Sequence, residues 1–170
     1  MDIIALVRAG RHAEVIAALE PLSRRGDSSA SNNLAVVHRM MGDGRNEVTY
    51  ALAAFHQDPS SIVALSTLFR ALFAAGHFRL LTDVYSAFPS KGRLDRDHHL
   101  NAAMAFCRIN RTESAKAALG RLDDYPLNDA GDIEVGLTLA TALSDHPTAL
   151  RHLEALSALG HDIHARHMTE

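Results

Sequence analysis

The sequence predicts an all-α fold, a solenoid of about five helical hairpins with the first one partial. Three observations carry this. Apolar residues recur at i, i+4 and i+7, which is one face of an α-helix. The pattern returns five times along 170 residues at a nearly constant spacing. Turn-forming residues separate the repeats, and alternating β-branched runs are essentially absent.

Taken in order, the apolar triplets are Val15, Leu19, Leu22; Val48, Leu52, Phe55; Leu81, Tyr85, Phe88; Ala115, Leu119, Leu122; and Ala149, Leu153, Leu156. Their first members stand 33, 33, 34 and 34 residues apart. Upstream of the triplets lie further apolar residues at helical spacing: Leu34, Val37 and Met41; Leu65, Leu68 and Leu72; Ala102, Ala103 and Phe106; Ile133, Leu137 and Ala140. Each unit is therefore expected to be two antiparallel helices. Neither helix can bury its apolar face alone, and stacking against neighbours buries it. Gly42, Gly44 and Gly76 are expected at helix ends, and Pro59 in a first helical turn, where its missing N–H costs little. Asp145 and Pro147 repeat that arrangement. Pro21 should kink or end the second helix of the first unit. Residues 90–96 and 123–132 read as longer linkers. Residues 1–159 form one repeat domain, and 160–170 a polar, His-rich tail.

A period of about 34 residues with two helices per unit resembles the tetratricopeptide repeat. The resemblance rests on Val15, Val48, Leu81, Ala115 and Ala149 in the second helices, on the bulky residues after them, and on Asp58-Pro59 closing a unit. It implies a right-handed αα-solenoid. The chain departs from the family in lacking tryptophan and in carrying Leu34-Ala35, Leu68-Phe69 and Ala102-Ala103 where the family has Leu-Gly. Phe69 is large where the family is small, which predicts a wider helix pair there. The pentatricopeptide RNA readers have a similar period, but they present basic surfaces. This chain has a net charge of −3 and no basic stripe, so no nucleic-acid partner is expected.

The family resemblance implies a protein-interaction scaffold, an adaptor or chaperone that takes a partner's peptide or helix in a concave groove lined by the first helices. That groove would carry Arg8, Asn32, Asn33, Arg39, Arg70, Asn101, Met104 and Arg108. An Asn amide pairs with the backbone of an extended peptide whatever its side chains. Arg8, Arg39, Arg70 and Arg108 recur at near-repeat intervals, and guanidinium forks suit carboxylates, so the expected peptide is acidic. Self-assembly is the alternative. Ile3, Ile4 and Val7 make the first turns apolar and would form an oligomer contact. A third possibility is a regulatory module working beside an enzyme.

Other chemistries find little support. Histidines 161, 164 and 167 do not converge as metal ligands on a helix, and no cofactor or metal is expected. His38 reads as a partly buried core residue, and one of His98 and His99 as packed on the next unit. Cys107 has no His or Asn at a recognisable catalytic spacing and reads as a small hydrophobe. GxSxG, HExxH and phosphate-loop motifs are absent, so no enzyme is expected. No apolar run is long enough for a membrane span, and a single cysteine gives no disulfide. The expected location is the cytoplasm.

Overall fold

The computed structural model describes residues 3–88, 94–125 and 130–158. Its helices are α1 (Ile3–Arg8), α2 (His12–Arg24), α3 (Ser28–Met40), α4 (Gly44–Gln57), α5 (Ile62–Ala74), α6 (Phe78–Ala87), α7 (Arg96–Arg108), α8 (Thr112–Leu119), α9 (Ala130–Ala142) and α10 (His146–Ala158). A 3-10 segment, Gly120–Asp124, prolongs α8. No strand occurs among the described residues. The chain divides into two compact units. The first holds α1 to α5 and most of α6; the second holds Tyr85–Ala87 and α7 to α10.

One turn, used five times, makes the hairpins. Gly10, Gly42, Gly76, Asn110 and Ser144 have φ of 72°, 73°, 73°, 59° and 53°, the left-handed region. Their amides donate to the carbonyls of Val7, Arg39, Phe73, Cys107 and Thr141 over 2.9–3.1 Å. The next residues, Arg11, Asp43, His77, Arg111 and Asp145, donate to Leu6, His38, Leu72, Phe106 and Ala140 over 2.8–2.9 Å. These paired bonds satisfy carbonyls left open at the end of the first helix. The same five residues start the second helix, because their own carbonyls accept from Val15, Glu47, Leu81, Ala115 and Ala149.

This turn fixes the true repeat register and corrects the one read from apolar triplets. The left-handed residues stand 32, 34, 34 and 34 apart, so Val15 corresponds to Glu47 and not to Val48. The buried stripe of α4 is Glu47, Ala51 and Ala54, and Leu52 is exposed. In α10 the buried residues are Thr148, His152 and Leu156, in place of the expected Ala149 and Leu153. Leu22 and Met41 are exposed as well. A search for bulky apolar side chains slides one residue off the core wherever the core position is filled by Ala, Thr, His or Glu.

Other expectations shift for local reasons. Helix α2 does not end at Pro21 but runs on to Arg24. The proline removes the amide that would bond the carbonyl of Ala17, and both residues lie on the solvent side, where water can replace it. The last turn is held by tertiary bonds: Ser23 Oγ lies 2.7 Å from Ser31 Oγ, and Gln57 Nε2 donates to the Ser23 carbonyl over 2.9 Å. Pro59 lies ahead of α5, whose N-cap is Ser61, accepting from the Ala64 amide. Within the proposed linkers, Leu94 is buried, Asp95 caps α7 and α9 begins at Ala130. The tail with histidines 161, 164 and 167 lies outside the described residues.

In the first unit, Val15, Leu19, Ala30, Leu34 and Val37 form a cluster against which Leu6, Val7, Ile16 and Tyr50 pack. Leu65, Leu68, Phe69, Leu72 and Leu81 are also fully buried. Burying one such Leu contributes about 2 kcal/mol. His38 is buried, stacks on Tyr50 with centroids 5.2 Å apart, and bonds Asp43 through Nδ1. The second unit buries both His98 and His99, where only one was expected. His98 completes a capping box with Asp95, and His99 Nδ1 lies 2.8 Å from the Tyr85 hydroxyl. Gly136 of α9 lies under the imidazole of His152, where a Cβ would come within 2.3 Å of Nε2.

Candidate functional site

The first helix of each hairpin (α1, α3, α5, α7, α9) turns one stripe inward and leaves another open. Counting back from the left-handed residue aligns the open positions. Nine residues before it stand Asn33, Asn101 and Val135, with the buried Thr67 at that position in α5; six before, Val36, Arg70, Met104 and Thr138. Asn33 and Asn101 thus share one register position, as the sequence suggests. Asn33 is exposed and Asn101 half-buried. Asn32 is half-buried, and its Oδ1 is buried without a hydrogen-bond partner. Met104 and Cys107 are half-buried, and burial pushes the Cys107 thiol up from its ordinary range.

The arginines do not form one row. Arg8 and Arg108 are equivalent, both exposed in the last turn of their helices. Arg39 stands one register position earlier, and Arg70 one helical turn earlier. Their common feature is electrostatic and lies in the first unit. Arg39 on α3 and Arg70 on α5 are the two cations that act on Glu47 of α4. Burial and the neighbouring Arg39 push the Arg70 guanidinium down. Val7 is half-buried on its own unit's core, and the side chains of Ile3 and Ile4 lie outside the described residues.

Glu47 is the residue that the apolar pattern overlooks. It fills the slot taken by Val15, Leu81 and Ala115 in other hairpins, at 4% exposure. Its Oε1 has no hydrogen-bond partner. Burial holds its carboxyl above the usual carboxylate range, against the pull of Arg39 and Arg70. The signal was present in the sequence: aligning Gly10, Gly42 and Gly76 places a carboxylate in an aliphatic column.

Among the described residues, no group of three His, Cys, Asp or Glu side chains is arranged to hold a metal ion. No helix among them is long and apolar enough to cross a membrane.

No family model matches the chain, and no curated protein matches it. Solved structures do. A double mutant of MamA from RS-1 superposes with a TM-score of 0.74 at 17% identity, covering 93% of this chain and 90% of that one. MamA from Desulfovibrio magneticus RS-1, residue 41 to its end, gives 0.73 at 17% identity over the same shares. A MamA structure from AMB-1 gives 0.64 at 15% identity over 96% of this chain and 91% of that one. The fold is a tetratricopeptide-like helical repeat. At such identities the likeness speaks to the fold alone, and the residues above carry the rest.

Proposed function

We propose that the chain is a protein-interaction scaffold, an adaptor or chaperone, whose first-helix faces take up an extended, acidic peptide or helix of another protein. The observation behind this is the make-up of the open stripes. Amide and guanidinium donors (Asn33, Asn101, Arg8, Arg39, Arg70, Arg108) alternate with half-buried or exposed apolar side chains such as Val36, Met40 and Met104. Extended chain offers backbone amides and carbonyls for the amides, and carboxylates for the guanidiniums.

Panning a random peptide library against the protein, with Asn33→Ala/Asn101→Ala alongside, tests this reading. An acidic motif that the variant fails to enrich supports it. An identical motif from both proteins removes the two asparagines from the site.

The second reading is self-assembly through the first turns, favoured by α1 being a single short helix ahead of α2. Ile4→Asp should then lower the oligomeric mass in solution. An unchanged mass would count against that contact.

A further inference from the structure

The hairpin turns gather charge that is scattered along the sequence. Short loops make consecutive helices antiparallel, so α1, α3 and α5 end, and α2, α4 and α6 begin, at one edge of the first unit. Helices α2, α3, α4 and α5 pack in succession, which sets neighbouring turns about 10 Å apart. Five arginines stand at this edge. Arg8 is in the last turn of α1, Arg11 in the hairpin turn, Arg39 in the last turn of α3, and Arg45 and Arg79 in the first turns of α4 and α6. All but the half-buried Arg39 are exposed. Of the carboxylates at this edge, Glu14 is bonded to Arg11, Asp43 is held by His38 and Asn46, and Glu47 is buried. Asp83 lies one helical turn deeper in α6 than Arg79. Arg8, Arg45 and Arg79 form no ion pair among the described residues. The edge is thus positive, although the chain carries −3 overall.

Two further facts point outward. Arg45 and Arg79 sit at helix N-termini, where the positive end of the backbone dipole disfavours a cation, and α6 has no acidic residue in its first turn. Helix stability gives no reason for them. Large apolar side chains also stand exposed among the arginines: Met40 at 52%, Met41 at 49% and Leu80 at 42%. The turns of the second unit, by contrast, balance Arg108 and Arg111 against Glu113 and Asp145.

We propose that this turn edge of the first unit binds the surface of an anionic lipid bilayer. The arginines pair with headgroup phosphates and carboxylates, and Met40, Met41 and Leu80 enter the boundary between headgroups and acyl chains. A bilayer surface accepts cations and aliphatic side chains together, whereas single-stranded nucleic acid takes aromatic platforms. The exposed large apolar side chains here are aliphatic. The contact is peripheral and needs no membrane-spanning helix. Each arginine near such a surface multiplies binding by about fivefold, and salt screens the effect. Arg45 and Arg79 belong to second helices, so vesicle binding and peptide binding are tested separately.

The test is sedimentation of the full chain with vesicles of phosphatidylcholine alone and of phosphatidylcholine and phosphatidylserine in equal parts. The wild type should bind the mixed vesicles saturably, leave the neutral ones, and release with added salt. Arg45→Gln/Arg79→Gln should weaken binding by about tenfold or more, with thermal stability unchanged or raised. Arg24→Gln/Arg25→Gln removes the same charge from the opposite end of α2 and should bind as the wild type does. Met40→Ser/Met41→Ser should weaken binding without altering its salt dependence. Equal weakening by both arginine pairs would overturn the turn edge, and an unaffected methionine pair would overturn the apolar half of the contact. Binding to an oligothymidylate with none to mixed vesicles would assign the edge to nucleic acid and overturn the lipid surface. No binding to either would overturn the edge itself.

Discussion

At the residue scale the decisive position is Glu47, a carboxylate in a column of aliphatic side chains. A buried charge without hydrogen bonds is costly, and replacing it by a packed apolar residue is often neutral or stabilising. Glu47→Leu should raise stability by about 1–3 kcal/mol at neutral pH. The sign of the pH dependence follows from the raised carboxyl: the unfolded chain releases this proton first, so the wild type loses stability as pH rises through the carboxylate range. The advantage of the Leu variant should therefore vanish below that range, which urea titrations at pH 3 to 7 would read. Tyr85 gives the alkaline counterpart. Burial, first of all, pushes its hydroxyl up to about 12. Stability tied to the protonated hydroxyl should be lost as pH climbs from about 10 in the unfolded chain to about 12 in the folded one. Ultraviolet titration of the wild type against Tyr85→Phe isolates that transition. The role of Tyr85 was not legible from the sequence, because a lone Tyr in an apolar stripe does not say which way the helix is rotated; Glu47 stands out only once Gly10, Gly42 and Gly76 are aligned.

At the element scale, the shared hairpin turn explains both what the sequence disclosed and what it hid. Gly10, Gly42 and Gly76 mark helix ends openly, since glycine enters the left-handed region without strain. Asn110 and Ser144 do the same task behind ordinary side chains. Ser144→Gly should stabilise by about 0.5–1 kcal/mol and Asn110→Gly by less, because Asn tolerates this conformation better. The denaturant midpoint should rise with an unchanged slope. Gly136 tells the opposite story: its hydrogen leaves the space that the His152 ring occupies, so Gly136→Ala should cost about 1–3 kcal/mol by overpacking α9 on α10. The helices themselves were legible because their apolar faces repeat with the helical period. The rotation of α4 and α10 was not, because Ala51, Ala54, Thr148 and His152 are small or polar core residues that an apolar search passes over.

At the scale of the whole molecule, the hairpin repeat could be read from a spacing near 34, and the likeness to MamA structures agrees with it. The partner could not, because a repeat backbone carries unrelated ligands on the same scaffold. The register that Asn33 and Asn101 share on first helices was legible in the sequence. The illegible part was the charge arrangement of the first unit, which depends on three helices meeting. The central claim is that the first-helix faces bind the partner. The direct measurement is the affinity of a library-selected peptide for three proteins: the wild type, Asn33→Ala/Arg70→Gln on first helices, and Leu52→Ser/Leu150→Ser on exposed positions of second helices. The account predicts a loss of about tenfold or more for the first pair and none for the second. Loss confined to the second pair would contradict it.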